Sequence, residues 1–319
     1  MHTTDLLSAA VSRPCVASLE RLKETQQRMA ALVEIPLATS EVPLSAVAGR
    51  VLAEALHRFA PSGEQGEQVL ASGTLLRPTH VPLVSSLGRS TVRVFERLRV
   101  GIMAMGCSGR APPMKVEDAG TTVTLLSAAA EHAGAKTFVS TCDSSDACHL
   151  LGSLKALLSA GCSLILIAGT LDADMRKALE QSGALREESE VSEVEYAPFG
   201  AIQVARACNA HLVAVPSDPE IAYATFTALV SPLLRALSGR ADVISPASSA
   251  LLIDDQVGER VDCSPLWVYE QPALSRCSAA RVVRRTSQGL AAIADASGIA
   301  WCPSDLGCVL PGAVAYISL

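Results

Sequence analysis

From residue 98 to residue 239, apolar runs of strand length alternate with segments of helical periodicity. "LRVGIMAMG" predicts a strand that stops at Gly106, and residues 119–134 a helix closed by Gly134. "KTFVST" (136–141) predicts a second strand, followed by a helix from Ser144 to Ala160 with Asp143 or Ser144 at its N-cap. "CSLILIAG" (162–169) is apolar at nearly every position, so a strand there needs cover on both faces, as in a parallel sheet. "HLVAVPS" (211–217) is another strand, leading through Pro219 into a long apolar helix over 220–239. This alternation implies right-handed βαβ units and an α/β fold: a central three-layer, doubly wound sheet. Ligands of such sheets sit outside the carboxyl ends of the strands, which selects the loops 106–118, 169–175 and 216–220.

The flanks differ. Residues 16–33 carry Leu19, Leu22, Met29 and Leu32 at helical spacing. "PLSAVAGRVLAEAL" (43–56) reads as a second helix burying Val47, Val51, Leu52 and Leu56. The polar, glycine-containing stretch after it reads as a linker, residues 77–88 as a short helix ended by Gly88, and 90–96 as a strand. After Arg240, five short apolar segments separated by Gly, Pro, Ser and Asp predict a small β-domain with one helix near 288–296. The expected organisation is a helical and extended N-terminal region (1–97), an α/β domain (98–240) and a C-terminal β-domain (241–319).

Composition narrows the classes. Of 319 residues, 49% are hydrophobic and 18% charged, enough apolar material for a large core and too little polarity for wholesale disorder. Aromatics make up 3%, so that core is mainly Leu, Val, Ile and Ala. The net charge of −6 argues against nucleic acid as a partner, and the short cluster Arg281, Arg284, Arg285 reads as a solvated patch. No apolar run predicts a membrane span, and the start lacks the basic n-region of a signal peptide, so a cytoplasmic protein is expected. The ten cysteines include no CxxC pair, and reduced, mostly buried thiols are the simplest account. Cys142, Cys148 and His149 would form a metal site only by converging without that pairing.

The three selected loops carry the candidate chemistry. In "GCSGRAPPMKVEDAG", Gly106, Ser108 and Gly109 would let backbone amides approach a phosphate, and Cys107 at the strand end would serve as nucleophile or metal ligand only beside a partner group. In "AGTLDADMRK", Gly169 and Thr170 follow the central strand; Asp172 and Asp174 would either hold Mg²⁺ as paired carboxylates or cap the next helix. In "VPSDPEIA", Pro216, Ser217 and Asp218 lead into a helix whose free amides suit an anion. Asp218 and Glu220 would repel one, favouring a cation or plain capping.

Four stretches, in this order, resemble the molybdopterin molybdotransferase family (MoeA and the gephyrin E domain). They are "PLSAVAGRVLAEAL", residues 70–106, "VAVPSDPEIAYATFTALVSPLLRALSG" and residues 286–319. The third, similar to the family's strand, PGNP loop and long helix, is the most specific. The resemblance implies a molybdopterin-binding-like central domain and a homodimer formed through the N-terminal helices and segment 77–96. It implies as ligands molybdopterin, its adenylylated form and molybdate, with AMP released with a divalent cation such as Mg²⁺, and a molybdoenzyme as a further partner. Asp118, Asp172 and Asp174 would then be catalytic, with Asp172 and Asp174 on the metal. Gly106, Cys107, Ser108, Gly169, Thr170, Pro216, Ser217 and Asp218 would line the ligand.

The departures from the family are as informative. The β-domain with the PPFDNSAMDGYA signature, expected after Leu56, is replaced by about a dozen residues. TGDEL reads "MGCSGR", placing Cys107 and Ser108 at the acidic positions; DSN reads "DAG", keeping Asp118 but putting Gly120 for Asn. GGVSVGxxD keeps Gly169, replaces the second Gly by Thr170 and the final Asp by Lys177; MKPGKP reads "YAPFGA", losing both lysines; PGNP reads "PSDP". Each lost preorganised contact costs about 10²–10³ in rate. The expected function is therefore molybdenum cofactor biosynthesis or handling, with the pterin bound and molybdate insertion weak or absent. An active Mg-dependent molybdotransferase and a non-catalytic structural or partner-binding paralogue remain as alternatives.

Overall fold

The computed structural model describes residues 13–35, 37–59, 65–104, 116–140, 147–171, 173–181, 191–196, 199–244, 247–252, 265–272, 281–285, 289–301 and 312–319. Its centre is a six-stranded sheet. Strands β5 (Arg99–Ala104), β6 (Lys136–Ser140), β7 (Leu164–Ala168) and β10 (Ala210–Val215) run parallel in the order β6-β5-β7-β10. The antiparallel β9 (Ala201–Ala207) and β8 (Ser192–Glu195) extend the β10 edge. All five residues of β7 are buried. Its side chains alternate between two cores, Leu164, Leu166 and Ala168 on one face and Ile165 and Ile167 on the other, as the pleat requires.

Helices cover both faces. On the Leu164 side lie α1 (Arg13–Leu32), α3 (Val116–His132) and one long helix formed by α6 (Pro219–Thr225), a π turn (Phe226–Val230) and α7 (Ser231–Leu237). On the other side lie α4 (Ala147–Ser159) and α5 (Ala173–Gln181), through Leu150, Leu154, Leu157 and Leu179. The three-layer α/β expectation therefore holds, and the β8–β9 pair is an addition to it. The strand–helix alternation expected up to residue 239 is interrupted at 192–207, where an antiparallel ribbon is inserted between the crossover helix α5 and β10.

The N-terminal region is more β than expected. Strand β1 (Thr39–Pro43) pairs antiparallel with β4 (Thr91–Phe95), and β2 (Leu56–Phe59) with β3 (Gln65–Leu70). The helix expected over 43–56 is instead a short 3-10 turn, Leu44–Ala46, followed by isolated bridges Val51–Leu75 and Leu52–Val94. Gly49, at φ +75°, turns the chain out of any right-handed helix. Val47, Val51, Leu52 and Leu56 are all buried, so the apolar positions were right and their periodicity misleading. The expected linker contributes β2 and β3, which only five residues separate, too few for the inserted domain of the family. The short helix α2 (His80–Ser86) lies where expected.

The C-terminal segments close into a barrel in the order β11 (Ala247–Leu252), β13 (Arg281–Arg285), β12 (Leu266–Glu270), β14 (Gly298–Trp301), β15 (Gly312–Ser318). Only the β11–β13 pair is parallel. Helix α8 (Leu290–Asp295) matches the one expected there. Trp267, Ile299, Trp301 and Ile317 carry the barrel onto the central core, which α1 shares. None of the helices among the described residues is long and apolar enough to cross a membrane.

Polar contacts from Gln26 on α1 and from Glu34 just past it help fasten α1 to this core. Pro232 has no N–H to offer the carbonyl of Ala228 four residues earlier, and the Gln26 side-chain amide donates to that carbonyl at 2.8 Å. Gln26→Leu would leave the buried carbonyl without this donor, at a cost of about 1–3 kcal/mol measurable by chemical denaturation. At the start of β10, the buried imidazole of His211 lies 3.1 Å from the Glu34 carbonyl just past α1. Burial depresses the His211 pKa below the usual 6.5; Arg206, opposite on β9, acts in the same direction, and the Glu34 carbonyl and charge oppose both. The unfolded chain therefore binds the proton more readily, and stability is lost as pH falls below about 6.5. Thermal unfolding at stepped pH should show this loss, and His211→Gln should flatten the profile across that window.

Candidate functional site

The carboxyl ends of β5, β7 and β10 lie side by side, and the loops that leave them are held to one another. Gly169, first after β7, donates its N–H to the Val215 carbonyl at the end of β10 (2.8 Å). Its φ of +138° is open to glycine and little else. Thr170 is exposed, and Leu171 turns back into the core while its N–H donates to the Gln203 side-chain oxygen (2.6 Å). From the third layer, the fully buried Thr122 on α3 donates its hydroxyl to the Ser217 carbonyl (2.7 Å). Thr122 and Gln203 thus set the spacing of the two loops.

Pro216 and Ser217 are half-buried, and Asp218 is exposed. Asp218 is the N-cap of α6: its carboxylate accepts the N–H of Ile221 at 2.9 Å, with Pro219 in the first turn. The capping alternative for this loop is therefore realised at Asp218. One of the amides that would have met an anion is occupied by a carboxylate, and Glu220 adds further negative charge to the same turn.

Beside this loop stands the turn between β8 and β9, where the resemblance would place the family's lysine-bearing segment. Phe199 donates its N–H to the Tyr196 carbonyl (2.7 Å), and Tyr196 to the Gly200 carbonyl (3.3 Å). Gly200 lies at φ +82°, and a Cβ there would stand 3.1 Å from Pro216 Cγ, so the turn is pressed against the loop after β10. The Tyr196 and Phe199 side chains face into the core. The Tyr196 and Phe199 rings stack at 5.8 Å, and Phe199 meets Trp301 of the barrel edge-on at 5.2 Å. The Tyr196 hydroxyl donates to the Ser18 carbonyl on α1 (2.7 Å), and the Thr225 hydroxyl on α6 donates to the Phe199 carbonyl. Where the resemblance leads one to look for cations reaching a ligand, this chain has an aromatic tie between helix, sheet and barrel.

Of the residues singled out from the sequence, Gly169, Thr170, Pro216, Ser217 and Asp218 are brought together at one rim. Gly106, Cys107, Ser108 and Asp172 lie outside the described residues, as does Cys142. Asp118 and Asp174 fall on α3 and α5, their side chains outside the description. The cap proposed at Asp143 or Ser144 is outside it as well. Among the described residues, no group of three or more His, Cys, Asp or Glu is placed to hold a metal. Gln203 and Thr122 were missed. A buried threonine at an apolar position of a helical pattern was the one available signal.

No family model matches the chain. In sequence it is 25% identical over 236 residues to molybdopterin molybdenumtransferase 2 of Mycobacterium tuberculosis (strain CDC 1551 / Oshkosh), covering 67% of this chain and 58% of that protein. The protein of the same name from strain ATCC 25618 / H37Rv matches equally. The chain thus spans 58% of the length of the curated relatives it matches. In structure it is similar to a molybdenum cofactor biosynthesis protein from Pyrococcus furiosus, at TM-score 0.67 and 19% identity, covering 93% of this chain and 98% of the other. It is similar also to the molybdopterin biosynthesis moeA protein from Pyrococcus horikoshii OT3, at TM-score 0.66 and 14% identity over 93% of this chain and 99% of the other. The chain is thus similar in fold to these MoeA structures and similar in sequence to the molybdopterin molybdenumtransferases.

Proposed function

We propose that this chain acts in molybdenum cofactor biosynthesis or handling, binding molybdopterin or its adenylylated form at the rim formed by Gly169, Thr170, Ser217 and Asp218. In this reading molybdate insertion is weak or absent. The observation that carries the reading is the turn 196–200. In this chain its aromatic side chains are committed to the core, and Asp218 occupies the helix N-terminus that would otherwise attract a phosphate. Among the described residues the rim offers hydroxyl and backbone groups fit to hydrogen-bond a neutral ring or sugar, and none of Gly169, Thr170, Ser217 and Asp218 carries the positive charge that would stabilise a transferred oxyanion. The names borne by the sequence and structure relatives supply the ligand class.

The test is thermal unfolding of the purified chain with molybdopterin, adenylylated molybdopterin, AMP and Mg²⁺, with AMP release followed in the same samples. Binding to the folded state alone contributes about 2.7 kcal/mol at a ligand concentration of 100 times Kd, so a rise of several degrees is expected. Molybdate-dependent AMP release should be absent. Release at an enzymic rate would replace this reading by the active transferase, and no shift with any pterin would remove the pterin assignment.

Asp218→Ala should cost about 1 kcal/mol of stability through loss of the cap, and Asp218→Asn much less, since the amide oxygen can still accept from Ile221. If the carboxylate holds phosphate away, both variants should bind the adenylylated pterin more tightly than the parent, which calorimetric titration would read.

A further inference from the structure

At the amino-terminal ends of the central strands, opposite the rim, a crevice with about 20 Å³ of room for the centres of water-sized atoms opens between the N-terminal β-region, the residues leading into β5 and the ends of two helices. That is room for a single small group of a few atoms, not for a larger organic ligand. Its walls carry Arg50, Glu96, Arg97 and Arg240, with Phe95 and Ser238 between them. Arg235 on α7 lies within electrostatic reach of Arg240, and Asp242 is the second carboxylate of the neighbourhood. Four guanidiniums thus meet two carboxylates, on a chain whose net charge is −6.

The arginines differ in how they are used. Arg240 is committed to Asp242 through two hydrogen bonds, Nε to Oδ1 at 2.8 Å and Nη2 to Oδ2 at 2.5 Å. Arg50 donates one Nη2 bond to the Phe95 carbonyl (3.0 Å), while its Nε is buried with no partner among the described residues. Arg97 is exposed and makes no hydrogen bond or ion pair among the described residues, so its planar fork is available. Burial first, and the neighbouring Arg97 charge second, push the Arg50 pKa down, with only Glu96 opposing; Arg235 is depressed by burial and then by Arg240. Uncancelled positive charge therefore repels itself across the crevice. The carboxyl ends of α3 and α7 reach the crevice at Gly134 and Ser238, where their partial negative charge offsets part of the arginine charge.

We propose that this crevice binds a small tetrahedral oxyanion, either free phosphate or the phosphate head of a monoester, on the fork of Arg97 with Arg50 and Arg240 behind it. Guanidinium groups match such oxygens in pairs, and a dianion here replaces arginine–arginine repulsion by attraction. The proposal is independent of the reading of the strand-end rim.

The test titrates the full chain with inorganic phosphate and, separately, with glycerol phosphate, against chloride at matched ionic strength, by calorimetry and thermal unfolding. The expected result is saturable binding with a rise in Tm, weakened about tenfold by Arg97→Ala. Arg97→Lys, which keeps the charge but loses the fork, should fall between. Arg89→Ala, an exposed arginine outside the crevice, should leave binding unchanged. Binding of inorganic phosphate alone assigns the crevice to the free ion, and binding of both assigns it to a phosphate head. No binding beyond chloride, or equal binding by the parent and Arg97→Ala, overturns the proposal.

Discussion

Strand β7 has no face that water can touch. Leu164, Leu166 and Ala168 point into one apolar layer while Ile165 and Ile167 point into another, and every other element is arranged to keep both layers dry. Helices α4 and α5 close one side. The other side is larger than a helix pair can close. It is completed by α1 from the amino-terminal end of the chain and by the barrel from the carboxyl-terminal end. Sequence-distant segments are thereby bound into one core around a five-residue strand, and the loops leaving that strand inherit their rigidity from it.

The candidate rim depends on this frame in a specific way. Gly169 and Ser217 are fixed by groups outside the loops themselves, the Val215 carbonyl and the Thr122 hydroxyl, and Gln203 on β9 fixes Leu171. The ribbon β8–β9 therefore does more than widen the sheet: it supplies Gln203 and, through the turn that joins its strands, the Tyr196–Phe199 pair. The Tyr196–Phe199 pair is held from three directions, by Ser18, Thr225 and Trp301.

The parallel core was legible because strands buried on both faces are written as uninterrupted apolar runs, and the helices between them keep their period. The barrel segments were legible as short apolar runs between turn residues. The stretch 43–56 was misread because Val47, Val51 and Leu52 have a helical spacing that a turn with two bridges also satisfies, and Gly49 was the only sign against it. Strand β8 left little trace, since Val194 is its one buried residue. The rim residues nearest the strand ends followed from topology alone. Thr122 and Gln203 did not, because their function is to meet carbonyl and amide groups some 32 to 95 positions away in the chain.

The π turn in the long helix has a consequence of its own. One residue beyond the α-helical count rotates everything after it by about 100° around the axis. The portion beginning at Asp218 can therefore keep its orientation to the strand-end loops, while the portion from Ser231 onward turns Leu233, Leu234 and Leu237 into the core that α1 and the barrel share. The extra residue acts as a phase shifter between two neighbourhoods that demand different faces of the same rod. Deleting one residue between Phe226 and Val230 would leave each half intact and the two mutually misaligned.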